Sequence, residues 1–189
     1  MYALKELFMI YTLKNCRTGE FGPYKTTVEI TEENNILTFK FVAEHSQYYC
    51  PHSKYNEIHS EGDACEILIG TDPNRKVYYE IEVNPENVLM IAEMTYMGVD
   101  EKNDPILHIN FVEKPFVTSK VTKTENGDIA EVSFSKNDVV SGDGEMYFNA
   151  YRLETDGGEM DKHLFALNPT MRPKFHVPSY YVYLKDYVK

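Results

Sequence analysis

The residues Val77-Tyr-Tyr-Glu-Ile-Glu-Val83 place Val77, Tyr79, Ile81 and Val83 on one side and Tyr78, Glu80 and Glu82 on the other. A period of two is the signature of a β-strand with unlike faces, and Asn84-Pro85 ends it because proline cannot donate to a central ladder. The same punctuated pattern recurs along the chain. Residues 26–30 and 36–42 flank Glu32-Glu-Asn-Asn35 and predict a hairpin. Residues 65–69 run into the turn-forming Gly70-Thr-Asp-Pro-Asn74. Further short segments follow at 89–96, 106–112, 117–121, 129–134, 146–153 and 180–184, two of them joined by a tight turn at Asn126-Gly127. Helical periodicity is weak, and only residues 1–13 read either way. Many short strands at regular spacing predict an all-β fold, a two-sheet antiparallel sandwich filling residues 1–189 as one domain. Ile67, Ile69, Tyr79, Ile81, Val83, Phe148 and Leu153 are the predicted core.

The side-chain inventory narrows the partners. With 15 Tyr, 10 Phe and no Trp, the aromatic residues suit half-buried strand surfaces, where the ring packs and a hydroxyl reaches water. A net charge of -11 disfavours nucleic acid and anionic membrane surfaces, both gripped by clustered Lys and Arg, but leaves a neutral ligand open. No stretch approaches the ~18 apolar residues of a membrane span, and the first residues do not read as a secretory signal. Cys16, Cys50 and Cys65 are an odd set without a CxxC pair, which suits a reducing compartment. The chain is expected to be soluble and cytoplasmic. Its oligomeric state is not encoded in any pattern read here.

Chemistry-bearing clusters are sparse. Cys50, His52, His59 and Cys65 are zinc-ligand types within sixteen residues, but their spacing matches no compact finger, and a solvated polar loop is the favoured reading. His163 and His176 have no Ser or Cys in a nucleophile elbow to serve. Gly142-Asp-Gly144 and Asp156-Gly-Gly158 read as loops rather than phosphate cradles. Glycosidase chemistry needs two carboxylates across one cleft, which spacing alone does not reveal.

Three stretches taken together resemble the family 9 carbohydrate-binding modules and their DOMON-like relatives. They are Gly62-Asp-Ala-Cys-Glu-Ile-Leu-Ile69, then Tyr78-Tyr-Glu-Ile-Glu-Val-Asn-Pro85, then a C-terminal set comprising Tyr147-Phe-Asn-Ala-Tyr-Arg152, Ala166-Leu-Asn-Pro-Thr170 and Pro173-Lys-Phe-His-Val-Pro178. The resemblance implies a sandwich that holds a sugar between aromatic rings and polar side chains, without catalysis. Pyranose C–H faces pack on aromatic rings, and carboxylates, amides and Arg satisfy the hydroxyls. By motif, Glu66 matches the hydroxyl-accepting strand Glu, while Glu82 and Tyr151 fall in polar reader slots. Phe175 stands where the second clamp ring belongs, with Arg172 before it. Ser60 occupies the first clamp position, with His59 beside it, and Leu167 replaces another common Trp. Tyr48, Tyr49 and Tyr55 are then the aromatic substitutes. No cofactor is implied except a structural calcium, for which the Asp72 turn and the Glu61/Asp63 loop are the candidates.

Two other readings stay open. The chain is otherwise a glycoside-active enzyme or its auxiliary subunit, or a sandwich serving protein interaction. Each named residue also has a plain structural role: Glu66 and Glu82 as solvent-face strand residues, Tyr151 as core, Phe175 as an end plug, His176 as a loop cap, Asn149 and Arg152 as fold-holding hydrogen-bonders.

Overall fold

The computed structural model describes residues 9–45, 47–58, 60–139, 144–158 and 162–188. The strands are β1 (Ile10–Thr12), β2 (Lys14–Asn15), β3 (Thr26–Glu33), β4 (Ile36–Glu44), β5 (Ala64–Gly70), β6 (Val77–Val83), β7 (Leu89–Val99), β8 (Pro105–Phe111), β9 (Thr118–Lys123), β10 (Gly127–Ser135), β11 (Tyr147–Glu154), β12 (His163–Ala166) and β13 (Val182–Tyr183), with one short helix, α1 (Lys136–Val139), after β10. The smaller sheet has the order β1-β3-β4-β10-β9, and the larger β2-β12-β11-β5-β6-β7-β8, with β13 pairing β11. All pairings are antiparallel. Among the described residues, no helix is long and apolar enough to cross a membrane.

The predicted hairpin closes between β3 and β4 with Glu33 opposite Ile36, so Asn34 and Asn35 form a two-residue loop. Both have positive φ, 49° and 66°. That pair of conformations matches the right-handed strand twist, and Asn tolerates it better than most residues. The second hairpin, β9 to β10, is also present, but Gly127 is not a turn centre. Its role is close approach, because a Cβ there would lie 1.8 Å from the Ala43 carbonyl oxygen on β4.

Alternation sends every second side chain between the sheets. Val28, Ile30, Leu37, Phe39, Phe41, Val132 and Phe134 from the smaller sheet meet Ile67, Ile69, Ile81, Val83, Ile91 and Phe148 from the larger. Of the predicted core, Tyr79 is half-buried and packs edge-on against Phe116. Leu153 is buried but belongs to neither main apolar cluster. Cys16, Cys50 and Cys65 are free thiols, and Cys65 is committed to the core, where burial drives its thiol pKa up.

At one end the inter-sheet space is polar. His45, continuing the inward face of β4, places Nε2 3.0 Å from Asp128 and Nδ1 2.9 Å from Glu154. Arg152 donates to Glu154 across 2.7 Å. Asp63 accepts from the Thr155 backbone and hydroxyl and from the Tyr49 backbone. Buried charges persist only when paired in this way. Burial alone would lower the His45 pKa, but its hydrogen bonds to Asp128, Asp63 and Glu154 outweigh that and the opposing Arg152 charge, raising it to about 9. Arg152 is therefore a fold-holding residue.

The outer face of the larger sheet is covered too. After β12 the chain crosses this face and returns as β13, so that Phe175, Tyr181 and Tyr183 pack with Leu68, Tyr78, Met90, Met94, Tyr147 and Tyr151 in a second cluster. Fully buried Asn149 pins the excursion. Its amide nitrogen donates to the Asn168 carbonyl, and its amide oxygen accepts from the Asn168 backbone.

Candidate functional site

The strand register assembles three of the sequence-predicted residues into one row. Glu66 on β5 is directly opposite Glu82 on β6 and Tyr151 on β11. Residues directly opposite one another point to the same side of a sheet, here the outer face. Glu80 on β6 is diagonal to Glu66 on that same face, since its direct partner is Leu68. The alternative reading of Glu66 and Glu82 as solvent-face strand residues is not met. Glu66 and Glu82 are 5% exposed and Glu80 is 6% exposed, because the C-terminal excursion roofs them.

The roof contributes a ring and an imidazole. Phe175 stacks on Tyr151, ring centroids 4.3 Å apart and planes 24° from parallel. The Tyr151 hydroxyl donates to the Phe175 carbonyl oxygen at 2.9 Å and accepts from the Asn149 amide. Tyr151 itself is fully buried, so half-buried Phe175 is the ring nearer solvent. His176 places Nε2 3.3 Å from a Glu80 oxygen and Nδ1 2.9 Å from the Tyr78 hydroxyl. Thr170 fixes the loop before them, its single hydroxyl hydrogen shared between the Arg172 and Lys174 carbonyl oxygens.

Electrostatics make this face unusual. Burial first, then the charges of Glu80 and Glu82 and a hydrogen bond with Glu80, hold the Glu66 carboxyl well above the ordinary carboxylate range. Its Oε1 is buried without a hydrogen-bond partner among the described residues. Buried acceptors are rarely left so, because each costs on the order of 1–3 kcal/mol. An acceptor left open in this way can take a hydrogen-bond donor or a cation.

Other predicted positions fall elsewhere. The Arg172 side chain is exposed, while its backbone N–H donates to the Cys16 carbonyl. His59 lies outside the described residues, as do residues 142–143 of the first glycine loop and the first eight residues of the chain. Tyr48 stands over His45 and bonds the Gly127 carbonyl, and Tyr55 donates to the Val112 carbonyl. Of the calcium candidates, Asp72 accepts from the N–H groups of Asn74, Lys76 and Val77, and Asp63 from those of Tyr49 and Thr155. Glu80 and Tyr78 were missed as site residues, although their shared parity with Glu82 was visible in the sequence.

No family model matches the chain, and no curated protein matches it. Solved structures do. A candidate carbohydrate-binding protein from Bacteroides uniformis superposes with a TM-score of 0.70 over 92% of this chain and 84% of its own, at 13% identity. A family 9 carbohydrate-binding module from Caldicellulosiruptor kristjanssonii in complex with cellotriose gives 0.65 over 96% and 82%, at 10% identity. A structure of such a module from the same organism, in complex with glucose, gives 0.61 over 95% and 83%, at 11% identity. The chain has the fold of these modules. The two-sheet antiparallel β-sandwich expected from alternation is therefore the one observed. At such identities the likeness is one of backbone; the side chains on the outer face are this chain's own.

Proposed function

We propose that this protein is a non-catalytic carbohydrate-binding domain that takes a sugar at the outer face of its larger sheet. The reading rests on one arrangement. A ring, Phe175, is held by Tyr151 beside a row of acceptors, Glu66 and Glu82, on a fold shared with modules solved in complex with glucose and cellotriose. Phe175 supplies an apolar surface for pyranose C–H groups, and Glu66 and Glu82 accept from hydroxyls. Tyr151 positions Phe175 from beneath. Arg172, three residues before Phe175 in the chain, and His59 complete the proposed set.

Binding rather than hydrolysis is supported by register. Glu66 and Glu82 are cross-strand neighbours on one flat face, whereas a glycosidase sets its two carboxylates on either side of the scissile bond. No cofactor enters this reading. Calorimetric titration with gluco- and xylo-oligosaccharides tests it. Heat of binding at millimolar sugar, lost in Phe175→Ala, supports the reading, and no heat in the wild type favours a sandwich that serves protein interaction. Hydrolysis of aryl glycosides by the wild type, abolished in Glu66→Gln, would make the chain an enzyme instead.

A further inference from the structure

The carbohydrate reading uses Glu66 and Glu82 and leaves Glu80 and His176 unexplained. One carboxylate oxygen from each of Glu66 and Glu80 and one nitrogen of His176 lie within 4.8 Å of one another. These atoms come from two adjacent strands and from the loop that roofs them, so the tertiary fold rather than local sequence brings them together. All three present lone pairs once their protons are displaced, and a single cation is met by all three at once.

The imidazole is already oriented for that use. A metal-binding histidine ordinarily has its other ring nitrogen tied to a hydrogen-bond partner, which fixes the tautomer. Here Nδ1 meets the buried Tyr78 hydroxyl at 2.9 Å and Nε2 faces Glu80 at 3.3 Å, so the tautomer that donates Nδ1–H to that hydroxyl presents its Nε2 lone pair to a cation. Donors held about 2.0–2.1 Å from a tetrahedral zinc ion are about 3.3–3.4 Å apart, so this edge already has the required length. An independent observation points to a missing occupant: Glu66 is 95% buried by the complement of its 5% exposure, and its Oε1 has no hydrogen-bond partner among the described residues. Among those residues, no Lys or Arg forms an ion pair with Glu66 or Glu80.

We propose that Glu66, Glu80 and His176 form a three-ligand site for a divalent cation of the zinc class. The nitrogen donor selects a borderline metal over calcium or magnesium, which take oxygen ligands. Three protein ligands leave a fourth position for water or a ligand oxygen. The site shares Glu66 with the carbohydrate face but does not rest on it.

The test uses the full chain stripped with EDTA and dialysed, then titrated with zinc chloride by calorimetry and with cobalt chloride by visible absorption. The wild type is expected to take up one equivalent per chain and to show tetrahedral cobalt bands. H176Q and E80Q each lose those bands and weaken zinc binding at least tenfold, while H163Q, outside the cluster, binds as wild type. Y78F removes the partner of Nδ1 but no ligand, and weakens zinc by roughly 10- to 100-fold. It decides the matter where a ligand variant fails to fold. Wild type taking up no stoichiometric cation, or equal binding by wild type, H176Q, E80Q and Y78F, overturns the proposal. Sugar titrated into EDTA-treated protein keeps the two readings apart: sugar bound without cation leaves the carbohydrate face standing whatever the metal result, and cation bound without sugar does the reverse.

Discussion

Phe175 and Tyr151 are joined twice, by rings stacked 4.3 Å apart and by a hydrogen bond from the Tyr151 hydroxyl to the Phe175 carbonyl oxygen. The buried tyrosine therefore fixes both the side chain and the backbone of the residue proposed to meet the sugar. The two should separate on mutation. Phe175→Ala removes the stacking surface and is expected to cost about 1 kcal/mol or more of sugar affinity, with about 1–2 kcal/mol of stability because the ring is only half-buried. Tyr151→Phe keeps the ring but deletes a hydroxyl that both donates and accepts, costing about 1–2 kcal/mol of stability and less affinity. Calorimetry and urea unfolding of both variants check this. Unchanged affinity in Phe175→Ala would remove the ring from the site.

The second prediction concerns Glu66, with chelator present. Its folded pKa lies above the unfolded one, so its neutral form suits the native state. Such a group contributes stability that is complete below the ordinary carboxylate pKa and is lost as pH rises through the raised folded value. Glu66→Gln fixes the neutral form and removes a charge from beside Glu80 and Glu82. At pH 4 the variant and wild type are expected to be about equally stable. At pH 7 the variant should be the more stable of the two. A less stable variant at pH 7 would mean that the ionised carboxylate is compensated in the fold.

What could be read from the chain beforehand follows from range of interaction. Alternation is local, so the face shared by Tyr79, Ile81 and Val83 and the hairpin at Asn34 and Asn35 were visible in the order of residues. The burial of Glu66, Glu80 and Glu82 was not. It depends on residues some hundred positions away folding across the strand face, pinned by Asn149 and Asn168. The last predicted strand, 180–184, shrank to the two residues of β13 because Pro178 opens a tight helical turn immediately before it. The pairing of His45 with Asp63, Asp128 and Glu154 was invisible for the same reason as the roof: no spacing in the sequence relates four residues from four separate segments.

That inter-sheet cluster gives a pH dependence of the opposite origin. The unfolded His45 titrates near 6.5 and the folded one near 9, so protonation favours the native state. The contribution is fully present below pH 6.5 and is lost as pH rises through 9, on the order of 2–3 kcal/mol. Above pH 9 the thiols of buried Cys16, pushed up to about 12, and half-buried Cys50, pushed up to about 11, add to the loss. His45→Gln is expected to be less stable at pH 6 and to show a flatter profile between pH 6.5 and 9. Urea unfolding across that range measures it. Parallel profiles for wild type and variant would show that His45 does not carry the charge.

The two hairpins make the last prediction, because their special residues are special for different reasons. Asn35 sits at φ 66° in an open two-residue turn, so the constraint there is conformational. Asn35→Gly relieves it and should be neutral or stabilising by up to about 1 kcal/mol, offset in part by the greater freedom of glycine in the unfolded chain. At Gly127 the constraint is contact. An added Cβ would stand 1.8 Å from the Ala43 carbonyl oxygen and 2.9 Å from the Glu44 α-carbon, both backbone atoms of a strand hydrogen-bonded to β10. No rotamer change relieves that overlap, so Gly127→Ala must push β4 and β10 apart at the end that carries His45 and Asp128. A loss of about 3 kcal/mol is expected, together with a downward shift of the His45 pKa as its partners separate. Thermal melts of both variants and histidine titration by NMR provide the check, and a Gly127→Ala protein as stable as the wild type would mean that the two strands are not packed this closely.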